Sequence, residues 1–378
     1  MAARSSALFR GTRPAVAIDR VEVSAYTVPT DLPESDGTLE WDKTTIVIAQ
    51  LHAAGVRGLG YSYADRSAAA LMDGLLAPLV RGRDVMDIPG AWTAMVAATR
   101  NLGRPGIVSM AISAVDIALW DLKARLLDLP LVKLLGAVRE EIPIYGSGGF
   151  TSYSNRQLQH QLGEWASRGC SVVKMKIGRD SKLDLDRVRA ARDAIGPETR
   201  LFVDANGAYT RKQALRFAEE FRQLGVAWFE EPVSSDDLEG LRLLRDRAPA
   251  GMDIAAGEYG YSSLYFRRML EAGAVDVLQA DATRCAGITG FLQAAALCQA
   301  HGIPLSAHTA PSIHAHPCCA AQPAVHLEYF HDHARIEHMF FAGVLSPVQG
   351  VLRPDLSRPG LGLEFLPERA RAYRVFPS

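Results

Sequence analysis

The chain has 378 residues, of which 48% are hydrophobic and 22% are charged. Its 41 Lys and Arg residues nearly balance its 42 Asp and Glu residues, which leaves a formal net charge of −1. This composition is typical of a globular protein and not of a disordered one, and without a basic excess nucleic acid is excluded as an expected partner. Five cysteines without a Cys-x-x-Cys pair argue against a disulfide framework and a zinc ribbon, so we expect a cytoplasmic protein.

The N-terminal third predicts a tail followed by an α+β domain. Residues 1–16 contain arginines but lack the apolar run of a secretory signal, and we expect a disordered tail there. Residues 17–141 begin with two predicted strands separated by a polar loop at 29–42. Ala68–Leu79 and Ile107–Leu127 carry helical periodicity. No apolar stretch is long enough for a membrane span, so no membrane partner is expected.

From Ile142 onward, short apolar strands alternate with amphipathic helices. This alternation predicts a parallel α/β barrel over residues 142–344. The Pro/Gly-rich segment 345–378 is expected to leave the barrel and return to the N-terminal domain. The predicted strands are 142–148, 172–178, 200–207, 227–233, 253–259, 275–283, 303–309 and 326–330.

Three carboxylates follow three successive predicted strands. Asp204, Glu230 and Glu258 each come at the C-terminal end of an apolar run, where a parallel barrel places its active site. An oxygen-only ligand set suits a hard cation such as Mg²⁺ much better than Zn²⁺. Any one of these acids alone would be interpreted as a solvated or ion-paired residue, but three at matching positions favour a metal site.

Two lysines and one histidine are candidate bases at the same end of the barrel. Lys174 and Lys176 are two residues apart on one strand, so they point to the same side, and each is expected to lower the pKa of the other. His308 ends the seventh strand, and Asp281, near the end of the sixth, is placed to accept the hydrogen on its Nδ1. A lysine pair or a lone histidine is commonly structural; together beside a metal site they favour catalysis.

Four other histidines form two His-x-His pairs late in the chain. His314 with His316 and His331 with His333 have the ligand type of a zinc site. No third ligand type accompanies them at suitable spacing in the sequence. We therefore expect these histidines to lie in solvated loops.

An ordered set of motifs resembles the enolase superfamily and, within it, the mandelate racemase subgroup. The resemblance covers nearly the whole chain, and several motifs in barrel order are a far more specific signal than any one of them. The motifs are KMK (174–176), VDANG (203–207), WFEEP (228–232), AAGE (255–258), QADATRCAGIT (279–289) and SAH (306–308).

The resemblance implies the fold and the metal. The fold would be a modified TIM barrel, (β/α)7β, with an α+β N-terminal capping domain whose loop at 29–42 shapes substrate choice. The resemblance implies that Asp204, Glu230 and Glu258 bind Mg²⁺. A homo-oligomer is also expected, because the superfamily commonly forms one.

The resemblance also implies roles for the remaining site residues. Lys176, with Lys174 beside it, would serve one face of the substrate, and His308 with Asp281 the opposite face. The expected contacts to a small carboxylate substrate are Glu337, Asn206 and Lys174.

The chemistry expected of such a site is removal of a proton α to a carboxylate. That proton is weakly acidic because its loss adds a second negative charge to an anion, and Mg²⁺ offsets this charge. Our leading hypothesis is an acid-sugar dehydratase that forms an enediolate and eliminates the 3-hydroxyl to give a 2-keto-3-deoxy acid, in keeping with the polar loop at 29–42. The alternative is a racemase or epimerase of a 2-hydroxy acid, which would use the same two bases. A non-catalytic barrel would be favoured only if metal acids or bases were missing.

Overall fold

The computed structural model describes residues 15–377. The tail predicted over residues 1–16 therefore lies, except for its end, outside the described residues. Within the described range, no helix is long and apolar enough to cross a membrane.

The first three strands form an antiparallel sheet, in which neighbours along the chain are neighbours in space. Helices follow them before the barrel begins. The strands are β1 (Arg20–Ser35), β2 (Glu40–Ala53) and β3 (Val56–Tyr63). The helices are α1 (Arg66–Leu71), a π-helical turn (Met72–Leu76), α2 (Ala77–Val80), α3 (Ile88–Ala98), a 3₁₀ turn (Arg100–Leu102), α4 (Ile107–Leu126) and α5 (Leu131–Leu135).

The β1–β2 hairpin is longer than the sequence predicted. Most of the segment 29–42, expected as a polar loop, is strand, because pairing with β2 resumes at Glu34 after a bulge that follows Pro29. The turn itself is short. Asp36 Oδ1 accepts hydrogen bonds from the backbone N–H groups of Thr38 at 2.6 Å and Leu39 at 2.7 Å, which closes it.

Helix α4 packs directly on strand β3. At Gly60 an added Cβ would lie 2.1 Å from the backbone oxygen of Ala114, and at Gly58 it would lie 2.4 Å from Cβ of Leu122. Only glycine permits this separation, so the two glycines fix how closely the helix covers the sheet.

Eight parallel strands close into a barrel, because the last of them pairs with the first. They lie at the predicted positions. The strands are β4 (Ile142–Gly148), β5 (Val172–Lys176), β6 (Arg200–Asp204), β7 (Val226–Glu230), β8 (Asp253–Ala256), β9 (Val277–Ala280), β10 (Leu305–Ala307) and β11 (Ala324–Phe330).

Seven helices connect the eight strands, and an eighth helix follows the last strand. They are α6 (Asn155–Ser167), α7 (Asp184–Ile195), α8 (Arg211–Arg222), α9 (Leu238–Arg247), α10 (Ser263–Glu271), α11 (Gly287–His301), α12 (Pro311–Ala320) and α13 (His331–Phe340). The expectation that the paired histidines lie in solvated loops is wrong. His314 and His316 are buried within α12, and His331 and His333 lie in the first turn of α13.

After the barrel the chain returns to the N-terminal sheet. The last strand pairs antiparallel with β1, so the sheet contains both ends of the described chain. The elements are β12 (Phe341–Ala342), β13 (Val351–Leu352), β14 (Glu364–Phe365), α14 (Pro367–Ala370), a 3₁₀ turn (Arg371–Tyr373) and β15 (Arg374–Phe376).

An apolar layer lies inside the barrel, towards the N-terminal ends of the strands. It includes Phe202 and Trp228, whose rings stack with centroids 4.9 Å apart. Side chains along a strand alternate between its two faces. The residues two positions later, Asp204 and Glu230, therefore point into the barrel above this layer, at the C-terminal ends of the strands.

Candidate active site

The three predicted metal ligands meet at this end of the barrel. Asp204 and Glu230 end the adjacent strands β6 and β7 and are paired in register, and Glu258 follows β8. All three are buried, and one carboxylate oxygen of each lies within 4.8 Å of those of the other two. Glu258 Oε2 has no hydrogen-bond partner. Three charged oxygens at this separation fit a divalent cation that prefers oxygen ligands.

The pKa values of these acids diverge because of their neighbours. Burial and the nearby Asp204 carboxylate raise the pKa of Glu230 well above its ordinary value. Burial acts in the same direction on Asp204, but Lys176 and Lys174 outweigh it and lower the pKa of Asp204. Like charges held this close repel one another, and a cation among them would relieve that repulsion.

The two lysines lie within this carboxylate cluster. Lys174 Nζ is 2.5 Å from Glu230 Oε1 and 3.5 Å from Asp204 Oδ2, and Lys176 donates to Asp204. Lys174 does lower the pKa of Lys176, as expected, but the expectation that the two lysines have lowered pKa values is wrong. Burial lowers both values, but the surrounding carboxylates outweigh it, so the pKa of each lysine is raised.

His308 and Asp281 form the predicted pair. His308 Nδ1 lies 2.9 Å from Asp281 Oδ2. Burial raises the pKa of Asp281, but the hydrogen bond and charge of His308 outweigh burial, so the pKa of Asp281 is lowered. Asp281 is therefore a carboxylate that accepts the Nδ1 hydrogen. His308 Nε2 faces the cluster, 3.5 Å from Glu258 Oε2.

Asn206 follows β6 in a left-handed backbone conformation, with φ of 45°. Its backbone N–H donates to Asp204 Oδ1 at 3.0 Å, which helps to orient that carboxylate. Its side-chain Oδ1 is buried without a hydrogen-bond partner. An unsatisfied amide oxygen at this position is available to a bound molecule.

A further buried acid, Glu328, belongs to the cluster and was not predicted from the sequence. Glu328 Oε1 lies 2.9 Å from Lys174 Nζ and accepts a hydrogen bond from Ser147 Oγ at 2.5 Å. Its Oε2 accepts from the backbone N–H of Thr309 at 3.2 Å and lies 3.7 Å from His308 Nε2. The signal was present, because Glu328 is an inward-pointing residue near the end of the eighth strand.

A cavity of about 450 Å³ opens above the cluster, between the barrel and the N-terminal sheet. Lys176, Asn206, Glu258, His308 and Glu328 line its barrel side. The opposite wall comes from the β1–β2 hairpin, the end of β3 and the residues just before α1. Its residues include Leu39, Trp41, Lys43, Thr44, Thr45, Tyr63 and Asp65.

The N-terminal sheet therefore caps the barrel mouth. Residues 20–136 match the family described as mandelate racemase / muconate lactonizing enzyme, N-terminal domain, and residues 157–369 match the family described as enolase C-terminal domain-like. The chain belongs to the mandelate racemase/muconate lactonizing enzyme family. The predicted family and the predicted fold of barrel and cap are thereby confirmed.

Named relatives of this family are enzymes that act on sugar acids. The L-talarate/galactarate dehydratase of Salmonella typhimurium is 34% identical over 330 residues, which make up 83% of this chain and 81% of that protein. The 3,6-anhydro-α-L-galactonate cycloisomerase of Streptomyces coelicolor is 33% identical over 355 residues, or 92% of this chain and 96% of that protein. The relatives are thus hydro-lyases and cycloisomerases.

Solved structures of family members superpose over most of the chain. A mandelate racemase/muconate lactonizing enzyme-like protein from Rubrobacter xylanophilus gives a TM-score of 0.93 at 56% identity, covering 95% of this chain and 100% of that one. The L-talarate dehydratase from Polaromonas sp. JS666 complexed with Mg and L-glucarate gives 0.86 at 32% identity, covering 95% and 97%.

One substrate contact implied by the family resemblance does not reach the cavity. Glu337 lies in α13, fully buried, where it accepts hydrogen bonds from Tyr61 Oη and Ser312 Oγ, each at 2.6 Å. It joins the cap to the barrel behind the site and is not among the residues that line the cavity. The acid of the eighth unit that lines the cavity is Glu328.

Arg284 and Tyr259 also lie at the cavity; the sequence pointed to Tyr259, which follows Glu258, but not to Arg284. Arg284 Nη1 lies 3.2 Å from Glu258 Oε1, and the Arg284 guanidinium lies 5.3 Å from the centre of the Tyr259 ring. Both residues line the cavity. Arg284 therefore fixes the orientation of Glu258 from the side opposite the lysines.

Proposed function

We propose that the protein is a Mg²⁺-dependent dehydratase of acid sugars, which converts a 2,3-dihydroxy acid into a 2-keto-3-deoxy acid and water. The observation that carries this proposal is that Lys176 and the His308–Asp281 pair reach one cavity from different strands, with the acidic cluster between them.

Asp204, Glu230 and Glu258 are the proposed Mg²⁺ ligands. Their oxygen-only donor set, their separation and the absence of a hydrogen bond to Glu258 Oε2 all fit that ion. When bound, Mg²⁺ offsets the negative charge that develops on the substrate carboxylate as its α-proton leaves. Trp228 Nε1 donates to Glu230 Oε2 at 2.9 Å and so holds one ligand in place.

Lys176 is the proposed base for the α-proton. Its ammonium group is bound to Asp204 and reaches the cavity. Electron density from the broken C–H bond moves into the carboxylate to form the enediolate. A cation bound by Asp204 would weaken the attraction between this carboxylate and the Lys176 ammonium group. Lys176 would then lose its proton more readily and become the neutral amine that a base must be.

His308 is the proposed acid for the leaving 3-hydroxyl. Asp281 accepts the Nδ1 hydrogen, so the proton that is transferred sits on Nε2. The 3-hydroxyl takes up this proton, the C3–O bond breaks and the hydroxyl leaves as water. The resulting enol tautomerises to the 2-keto acid. The Asp281 carboxylate stabilises the imidazolium before the transfer.

Lys174 and Glu328 are proposed to have different roles in the site. Lys174 has no exposed surface and does not line the cavity. Its role is therefore electrostatic, holding Glu230 and Glu328, and not the direct contact expected from the resemblance. Glu328 and Asn206 do line the cavity and supply the polar contacts to the bound acid.

Among the described residues, the cap wall contains one cationic group without an ion pair. Thr44 Oγ1 donates to Asp332 Oδ2, and Thr45 Oγ1 is hydrogen-bonded to Thr27 Oγ1. Lys43, in contrast, lines the cavity and makes no ion pair with any described residue.

The two acids of this wall already accept hydrogen bonds from the cap itself: Asp36 Oδ1 from the backbone N–H groups of Thr38 and Leu39, and Asp65 Oδ1 from that of Ser67 at 2.9 Å. A free cation on this wall favours substrates whose far end is also anionic, which are diacids.

Screening a set of aldonic and aldaric acids with Mg²⁺ tests the proposed function. ¹H NMR should detect a 2-keto-3-deoxy acid, with diacids turned over faster than the matching monoacids. Epimerisation is the second candidate, since two bases in one cavity also permit a 1,1-proton transfer. An epimer without any keto acid would favour that candidate. The homo-oligomer and the cytoplasmic location stay predictions.

A further inference from the structure

A second group of potential metal ligands lies outside the active site. Asp31 and Glu34 belong to β1 in the cap, and His331 begins α13 of the barrel. One ligand atom of each lies within 4.8 Å of the others, and His331 Nε2 is 2.9 Å from Asp31 Oδ2. Among residues 15–377, this is the one such group besides the acidic triad.

Glu34 is the member whose position needs an explanation. Its side chain is fully buried, and its Oε2 accepts a hydrogen bond from Trp41 Nε1 at 2.8 Å. Its Oε1 is buried with no hydrogen-bond partner. A carboxylate oxygen removed from water without a partner destabilises the folded protein, whereas a coordinated cation would compensate it.

The group is reachable from solvent. Asp31 and His331 line a cavity of about 560 Å³ between the hairpin and helices α6 and α13. The side chain of Asp31 is 43% exposed and that of His331 26% exposed. An ion therefore has a path to these atoms that does not pass through the active-site cavity.

The charged groups beside this cluster do not supply it with an unpaired positive charge from Arg335. Asp332 contributes a further negative charge close to Glu34. The arginines that line the same cavity are Arg156, Arg168 and Arg335. Arg168 is paired with Glu164, and Arg335 Nε lies 3.1 Å from Asp332 Oδ1. Arg335 is thus already ion-paired. The cluster itself contains one imidazole and two carboxyl groups; burial and the charge of Asp332 raise the pKa of Glu34 to about 9, so a bound cation would displace the proton of Glu34.

We propose that Asp31, Glu34 and His331 bind a divalent transition-metal ion such as Zn²⁺, separate from the proposed Mg²⁺ site. One imidazole nitrogen with two carboxylate oxygens is a donor set that Zn²⁺ accepts, and the remaining positions are open to water. Mg²⁺ prefers oxygen alone. The ion would connect the substrate-facing hairpin to the barrel, because two ligands come from the cap and one from α13.

Counting bound Zn²⁺ per chain in the full-length protein tests the proposal. After loading and removal of free metal, elemental analysis should find two Zn²⁺ in the parent, because the acidic triad also accepts this ion. Glu34→Gln and His331→Gln should each hold one. His160→Gln is the matched control, since His160 lines the same cavity outside the cluster, and it should hold two.

The variants also separate this proposal from the proposed function. Glu230→Gln should hold one Zn²⁺, at the second site, and Zn²⁺ should still raise its melting temperature. That rise should be absent in the double variant Glu34→Gln/Glu230→Gln. His331 is partly exposed, so His331→Gln keeps the test valid where Glu34→Gln fails to fold. The proposal is overturned if Glu34→Gln or His331→Gln holds as many Zn²⁺ as the parent, or if Glu230→Gln holds none.

Discussion

His308 Nδ1 lies 2.9 Å from Asp281 Oδ2, and the opposite nitrogen of the same ring faces Glu258 and Glu328 at 3.5 and 3.7 Å. The partners come from neighbouring strand ends of the barrel, so the closed sheet fixes the pair. Because Asp281 accepts the Nδ1 hydrogen, proton transfer is left to Nε2. In the proposed mechanism, this relationship gives His308 a role distinct from that of Lys176.

Glu230→Gln should weaken Mg²⁺ binding by at least about tenfold and abolish turnover, because a neutral amide replaces a charged ligand. Titration calorimetry with Mg²⁺ checks the first effect. The substitution also breaks the buried pair with Lys174, so circular dichroism must show that the variant is folded. Glu239→Gln, on the exposed side of α9, is the control and should match the parent. Parental Mg²⁺ affinity and turnover in Glu230→Gln would show that the ligand assignment is wrong.

Glu328→Gln should lower kcat/KM by roughly 100-fold, through a higher KM and a lower kcat. The carboxylate balances Lys174 and faces the cavity beside His308, and electrostatic contacts of this kind contribute on that scale. Steady-state kinetics on an active acid sugar measures the effect. Parental kinetics would place Glu328 outside the site.

Glu337→Gln should change the pH dependence of stability and leave KM near that of the parent. Burial raises the pKa of Glu337 to about 7, so the folded protein binds a proton that the unfolded chain releases at lower pH. The resulting stabilisation is full below the ordinary pKa of a glutamate and is lost as pH rises towards 7. The loss is on the order of 3 kcal/mol.

Urea unfolding at pH 5, 6, 7 and 8 measures this contribution. The free energy of unfolding of the parent should fall with pH relative to that of Glu337→Gln. Equal slopes for the two proteins would contradict the buried position of Glu337, and a large increase in KM would return this residue to the substrate site.

Gly37→Ala should raise KM several-fold while the protein stays folded. A Cβ at Gly37 would lie 2.3 Å from the backbone oxygen of Ala205 and 2.8 Å from that of Ile177, so the hairpin tip would have to move away from the barrel mouth. Gly90→Ala in α3 is the matched control, because an added Cβ there meets nothing within 4 Å. It should keep parental kinetics and gain up to about 1 kcal/mol of stability. Equal KM values for the two variants would show that the hairpin tip does not shape the site.

The sequence predicted those parts of the site that depend on strand periodicity. Asp204, Glu230 and Glu258 follow apolar runs, and the barrel brings such positions together whatever the loops do. Asp281 and His308 were paired by the same reasoning. The structure brings all five residues close together.

Features that depend on contacts between distant segments were not predictable in the same way. The raised lysine pKa values come from carboxylates on other strands, whereas the sequence shows only that Lys174 and Lys176 are neighbours. Glu337 was chosen from its position in a motif, although helix α13 turns it towards Tyr61. The hairpin was taken as a loop because its polar composition hides the pairing of β1 with β2.

The most direct test of the two-base site is exchange of the substrate α-hydrogen with solvent, followed by ¹H NMR in D₂O. On an acid sugar that the parent dehydrates, Lys176→Ala should lose both exchange and product. His308→Asn should form no product but retain exchange catalysed by Lys176, because only the departure of the hydroxyl needs the imidazole. If both variants exchange and turn over like the parent, Lys176 and His308 are not the catalytic pair.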